Sequence, residues 1–258
     1  MIRRLVFLFL VADVLAFGGT STQQATKDPQ AVAILQNALA ALGGDPALIP
    51  INDSVTTGTM GPIANSLVKP AKIVWKTSGA EVRYEIQRDS GLQVLVSGHG
   101  KPAVSKNGTV KALFYHVIYG SLPFHIPSKL VSSQISDPKI SISYSGLGVA
   151  QGKSALLVQV NPATSDAAEA AVRRQLWYFD TGTGLPLRVE YRIPDTTDMN
   201  AWGNAAIEFS NFKNVGGVLI PFSMTFYQEG IALSGMAIGT VDFNVGLSPS
   251  EFDLLGGN

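Results

Sequence analysis

The residues with the greatest capacity for chemistry in this sequence are its 3 histidines, and their placement argues against a shared site. His99, His116 and His125 lie in different predicted elements and show none of the spacings at which imidazoles converge on a metal. His99-Gly-Lys and His125-Ile-Pro read as loop segments, whose histidines are satisfied locally or solvated. The turn Gly182-Thr-Gly184 lacks the third glycine and the following helix of a dinucleotide fingerprint, so it reads as turn chemistry. Glu81 and Glu85 sit on one predicted strand and read as a solvated surface. No G-x-S-x-G elbow, Walker sequence or H-E-x-x-H motif occurs. Cysteine is absent, which excludes disulfides, thiolate metal sites, a cysteine nucleophile and a lipid-modified N-terminal cysteine. The expectation is a protein that is not an enzyme and needs no metal or cofactor.

What the chain does have is apolar surface. Of its 258 residues 46% are hydrophobic and only 15% charged, a balance that favours a large buried fraction. The 19 basic residues match the 19 acidic ones, so neither a nucleic-acid footprint nor a polybasic membrane anchor is indicated. Length alone allows one large β-rich domain or two small ones.

The elements that must position this surface are organised around Arg174 to Arg192. Leu185, Leu187, Val189, Tyr191 and Ile193 alternate with Pro186, Arg188, Glu190 and Arg192, the period-two pattern of a strand with one dry face. The preceding arm puts Trp177 and Phe179 on one side and Leu176 and Tyr178 on the other, so it is expected to be covered on both. Asp180-Thr-Gly-Thr-Gly184 supplies the turn residues between them.

The rest of the chain repeats the theme. Asp28-Pro29 reads as the start of a helix, with Val32, Leu35, Leu39 and Leu42 on one stripe and Gly43-Gly44 as its end. Strands are expected at Lys72–Lys76, Glu81–Gln87, Leu92–Val96, Ile140–Tyr144 and Ala155–Val160, with Ala167–Arg173 as one helical turn. The stretch Lys111 to Ser132, dense in aromatics and broken by Gly120, Pro123 and Pro127, reads as a short helix and an irregular apolar flap. Further strands are expected at Ala206–Phe212, Val218–Tyr227 and Ile231–Val245. Ser248-Pro249-Ser-Glu251 reads as a capping box that starts a last turn carrying Phe252 and Leu254. No internal repeat or long linker interrupts this order, which favours a single domain.

At the N-terminus, Arg3 and Arg4 precede the apolar run Leu5–Ala12, and Val14-Leu15-Ala16 offers the small residues a signal peptidase reads. Residues 1–16 are therefore expected to be a signal peptide and residues 17–27 a flexible linker. The apolar run is shorter than the ~20 residues needed to cross a bilayer. No other run is long enough, so no transmembrane span is expected after signal removal.

The order of elements, with Trp177-Tyr-Phe-Asp180-Thr-Gly-Thr-Gly184-Leu-Pro-Leu-Arg188, Phe209 through Pro221, and Val241-Asp-Phe-Asn-Val245 followed by Pro249–Phe252, resembles the LolA-like group of bacterial envelope proteins. That group includes outer-membrane lipoprotein-sorting carriers and lipid-binding lipoproteins. The resemblance covers roughly residues 28–255, with its motifs mostly in 174–255. It implies an α+β, mainly β fold: a single curved antiparallel sheet, an unclosed β-barrel, with helices covering the concave face and acyl chains held between. It implies a non-enzymatic carrier whose partners are lipid or lipoprotein acyl chains, and envelope membrane proteins. The alternative is an envelope sensor or protein-interaction module on the same fold. Without a cysteine to anchor it, the chain is expected to be free in the periplasm or secreted. Candidate cavity-lining residues are Trp75, Tyr84, Ile86, Trp177, Phe179, Val189, Tyr191, Phe209, Phe222, Met224 and Phe226.

Overall fold

Alternating apolar residues become strands over most of the chain. The computed structural model describes residues 25–64, 68–114, 117, 122–164, 167–194, 198 and 201–256. The expected signal peptide, most of the expected linker and His116 lie outside the described residues. Six strands form a first antiparallel meander: β1 (Asp53–Pro62), β2 (Ala71–Ser78), β3 (Glu81–Arg88), β4 (Gly91–Gly98), β5 (Lys101–Lys106) and β6 (Thr109–Ala112). Seven more form a second: β7 (Ile140–Ala150), β8 (Lys153–Pro162), β9 (Gln175–Asp180), β10 (Pro186–Pro194), β11 (Trp202–Val215), β12 (Val218–Gln228) and β13 (Ile231–Phe243). β13 pairs with β1, joining the two meanders into one 13-stranded sheet in the order β6-β5-β4-β3-β2-β1-β13-β12-β11-β10-β9-β8-β7. The sheet is not closed: β6 and β7 are its two edges.

Among the described residues four α-helices accompany the sheet. Asp28 caps α1 (Pro29–Ala41) by accepting the Gln30 amide at 2.8 Å, as a carboxylate at that position should. The Asp28 carboxylate also accepts the Tyr144 amide, and Thr26 and Lys27 pair with Ile142, so the start of the helix is tied to β7. α1 buries Ala31, Ile34, Leu35, Ala38 and Leu39 against the sheet, and passes through Gly43 into the short α2 (Gly44–Leu48). Gly43 has φ +119°, and a Cβ there would lie 2.3 Å from the Gly217 carbonyl oxygen, so the close approach of α1 to the β11–β12 turn requires glycine. α3 (Pro127–Ser136) closes the flap segment, Lys111 and Ala112 extend the first meander as part of β6, and much of the aromatic stretch between them lies outside the described residues. α4 (Ala167–Arg173) is the helical segment expected there.

The curvature can be read from two neighbouring side chains. His125 stacks on Trp75 of β2 at 4.5 Å, while Phe124 lies 4.6 Å from Tyr191 of β10. Five strand spacings separate β2 from β10, roughly 24 Å along a flat sheet. Adjacent residues can touch both only if the sheet bends around them. The main core accordingly unites Ile73, Ile142, Trp177, Ile207, Ile220 and Ile238 from both wings with the buried faces of α1 and α3.

Two local expectations are corrected on the convex side. A bulge between Pro186 and Arg188 breaks the strict alternation, so Leu187 leaves the face of Val189 and packs with Ala150, Ala155, Leu157 and Tyr178. Gln151 Nε2 donates to the Leu187 and Phe209 carbonyls, holding the bulge in place. Glu81 and Glu85 are not a solvated surface either, because the C-terminal segment crosses over them. The last turn, Pro249–Phe252, drives Phe252 onto Val94 and Val96, while Glu251 pairs with Lys76 at 2.6 Å and its carbonyl accepts from Arg83. The capping box is half formed: Ser248 accepts the Ser250 amide, but the Glu251 carboxylate is spent on Lys76.

Candidate functional site

Between the concave face and the flap lies a cavity of about 570 Å³. That volume falls within the roughly 300–1,000 Å³ of small-molecule sites. Its walls come from the strand ends of both meanders: Met60, Trp75, Tyr84 and Leu95 on one side, and Tyr191, Ile207, Phe226 and Met236 on the other. Leu122 and Phe124 of the flap complete it, and Val68 and Leu233 stand at its rim. The strand parity that turns Val82 and Tyr84 inward sends Arg83 and Glu85 to the opposite face, while Lys69 and Arg88 are the charged residues that line the cavity.

Three methionines lie abreast in the sheet. Met60 of β1 faces Met236 of β13, and Met236 faces Met224 of β12. The Tyr84 hydroxyl donates to Met60 Sδ at 3.5 Å. Thioether side chains are unbranched and polarisable, so this row can adapt to apolar partners of different shape. Burial raises the pKa of both Tyr84 and Tyr191, so the cavity's two phenols stay neutral.

Of the predicted lining residues, the structure brings Trp75, Tyr84, Tyr191 and Phe226 together at this cavity. Ile86 and Phe222 are half-buried and pack against the main core, with Lys213 Nζ over the Phe222 ring at 4.4 Å. Trp177, Phe179, Val189, Phe209 and Met224 are fully buried in that core. Trp177 lies 5.9 Å from Phe179 and 6.1 Å from Phe209, the rings nearly parallel, so the most aromatic part of the concave face is already filled. Met60, Leu95, Leu122, Phe124, Ile207 and Met236 were missed as lining residues. Strand alternation was the signal that could have found Leu95 and Ile207.

A second cavity of about 570 Å³ lies on the other side of Leu122, under α3 and α4, where Lys129, Gln134 and Gln175 share the lining with Leu130, Ile140 and Val160. Gln134 Nε2 donates to Gln175 Oε1 at 2.7 Å, and Trp177 Nε1 donates to the same oxygen at 2.9 Å. Gln134 Oε1 is left without a partner.

No protein-family model and no curated protein sequence matches the chain. Solved structures do. A domain assigned to an outer membrane lipoprotein-sorting protein from Vibrio parahaemolyticus matches with a TM-score of 0.56 at 16% identity, covering 87% of this chain and 96% of that one. A LolA superfamily protein from Nitrosomonas europaea matches with a TM-score of 0.55 at 10% identity, covering 86% and 97%. A DUF1329 family protein from Desulfovibrio piger matches with a TM-score of 0.54 at 17% identity, covering 87% and 97%. The fold is LolA-like.

Within this LolA-like fold His99 and His125 sit in different turns. His99 lies at a turn with Nδ1 2.9 Å from Glu81. His125 lies in a turn before α3, as expected of a loop residue, but it is neither solvated nor satisfied: it is completely buried, and neither ring nitrogen has a hydrogen-bond partner. Thr56, cross-strand partner of Trp75, and Ser128, on the first turn of α3, also bury hydroxyls without partners. Among the described residues no group of histidines and carboxylates is placed to hold a metal ion, and no helix is long and apolar enough to cross a membrane.

Proposed function

We propose that this protein is a non-enzymatic carrier of the periplasm that binds acyl chains of lipids or lipoproteins and exchanges them with envelope membrane proteins. The observation that carries this reading is the apolar cavity between Trp75, Tyr84, Tyr191 and Phe226 and the Leu122–Phe124 flap. Removing methylenes from water contributes ~0.8 kcal/mol each, so a long acyl chain needs no charge complementarity to bind there. Met60 and Met236 let the wall follow chains of differing length and branching. Native mass spectrometry of the protein purified from an envelope fraction tests the reading. Co-purifying lipid, lost in Phe226→Glu while circular dichroism stays unchanged, is the expected result. A clean apo mass together with no uptake of a fluorescent fatty acid overturns it.

One observation favours a second reading, an interaction module. On the edge strand β7, Leu147 and Val149 are 72% and 69% exposed, and among the described residues only the Thr26–Asp28 segment pairs with the outer side of β7, at Ile142 and away from these two. Apolar side chains on an open edge suit pairing with a partner strand. Capture of a partner that Val149→Lys abolishes, by a protein that takes up no lipid, would favour this role over the carrier.

A further inference from the structure

We propose that the second cavity holds the anionic head group of the amphiphile whose acyl chain fills the first, with Lys129 as its counter-charge and Leu122 as the partition. This rests on the acyl-binding reading above and adds to it a head-group class.

The two cavities adjoin. Leu122 stands in the wall of both, and Val82 in the first faces Ser97 in the second as direct cross-strand partners. The separation there is one strand spacing, about 4.8 Å, which a few bonded atoms span. Both linings are mainly apolar, and the second carries more polar side chains. The first sets Lys69 and Arg88 beside methionine, leucine and aromatic rings, while the second sets Lys129, Ser133, Gln134, Glu169, Arg173 and Gln175 beside Leu130, Ile140 and Val160.

The charges in the second cavity are unequally satisfied. Arg173 is bound to Glu169 at 2.6 Å, and Asp137 Oδ1 accepts the Lys139 amide at 2.8 Å. Lys129 is half-buried, and among the described residues no carboxylate lies within ion-pair distance of its ammonium. The Asp53 carboxylate acts on it only from a distance, being bonded to the amides of Val245, Gly246 and Leu247. Burial lowers the Lys129 pKa, the response of an ammonium short of counter-charge. An acidic ligand group supplies that charge where water is scarce, and so binds more strongly than at an open surface. Gln134, only 6% exposed, has an acceptor oxygen with no donor. A hydroxyl beside the acid group gives it one. The class of ligand is a single-chain amphiphile with a phosphate or carboxylate head, best with a hydroxyl alongside.

Displacement of bound Nile red by lipids sharing one palmitoyl chain tests this. Lysophosphatidylglycerol and palmitic acid are expected to compete at least about tenfold better than the uncharged monopalmitoylglycerol, and lysophosphatidylglycerol best of all. Lys129→Met should remove the advantage of the two acids and leave monopalmitoylglycerol unchanged. Equal competition by all three in the unmodified protein, which needs no variant, overturns the head-group site and leaves acyl binding standing. A Lys129→Met protein that weakens all three alike overturns it too. If none of the three binds, the acyl reading falls as well.

Discussion

The His125 imidazole lies flat on the Trp75 indole, with ring centroids 4.5 Å apart and planes within 5° of parallel. The stack fastens the flap to β2 through a titratable ring that has no hydrogen-bond partner on either nitrogen. Burial, and secondarily the positive charge of Lys129, push the His125 pKa down from 6.5 to about 3. Between those values the unfolded chain takes up a proton that the folded chain refuses. Stability therefore rises with pH through this window, is complete above about 6.5, and falls below it by up to about 1.4 kcal/mol per pH unit. Asp28, Asp180 and Glu229, whose pKa values are lowered mainly by backbone hydrogen bonds, lose their contributions only in more acid solution. Urea midpoints should drop between pH 7 and pH 5 in the native protein. A His125→Phe variant, which keeps the stack, should show a much flatter profile; an equal slope in both would refute the assignment.

The same substitution should raise stability at neutral pH. A buried polar group without a partner costs roughly 1–3 kcal/mol, and a phenyl ring has no such group. We expect His125→Phe to be more stable by about 1 kcal/mol in urea denaturation at pH 7, after some loss to imperfect packing. A destabilised variant with unchanged fold would mean that ordered water already serves the imidazole.

Gly43 should be the least replaceable glycine of the helical layer. A methyl group there meets the Gly217 carbonyl oxygen at 2.3 Å, and φ of +119° is itself unfavourable for alanine. Gly43→Ala should cost at least about 2 kcal/mol by denaturant titration, from backbone strain plus displacement of the β11–β12 turn. Gly100→Ala is the control, since its φ is also positive (+69°) but nothing lies within 4 Å of the added methyl. Equal losses at both positions would show that φ, and not the contact, sets the cost.

Phe252 links the C-terminal segment to the first meander. It is buried on Val94 and Val96 of β4, and a Cβ on Gly98 would fall 2.3 Å from its carbonyl oxygen. Phe252→Ala should cost about 3–5 kcal/mol. It should also accelerate amide exchange in β4 and β5 while leaving β10 and β11 protected. Uniform acceleration across the sheet would indicate instead that the segment supports the whole fold.

Strand parity made much of this architecture legible. Val82, Tyr84 and Ile86, or Ile140, Ile142 and Tyr144, alternate cleanly because one face of their strands is packed, and a one-residue slip would put every apolar side chain on the wrong side. The helix cap at Asp28 was legible for the same local reason. Leu187 was not, because a bulge depends on pairing with β9 and leaves no mark in its own strand's composition. Glu85 looked solvated because the residue that covers its surroundings, Phe252, is far away in sequence. The cavity residues divided similarly. Trp177, Phe179 and Phe209 share a face with Tyr191, and only the depth of the curve and the placement of α1 and α3 decide which aromatics are filled over and which are left facing open space.

Leu122 should govern the length of chain that the protein accepts. It alone of the flap's described residues borders both cavities, so it limits an acyl chain to the first one while it stays in place. Leu122→Ala shortens the partition by most of a side chain. The cost to stability should be modest, about 1–2 kcal/mol, because the residue is only half-buried. Binding measured across a series of fatty acids should then shift its optimum toward longer chains, since added methylenes find space beyond the partition, each contributing up to ~0.8 kcal/mol. Leu122→Trp, which thickens the partition, should shift the optimum the other way. An optimum that stays put in both variants would mean that the chain lies along the sheet toward Leu233 and never reaches the flap.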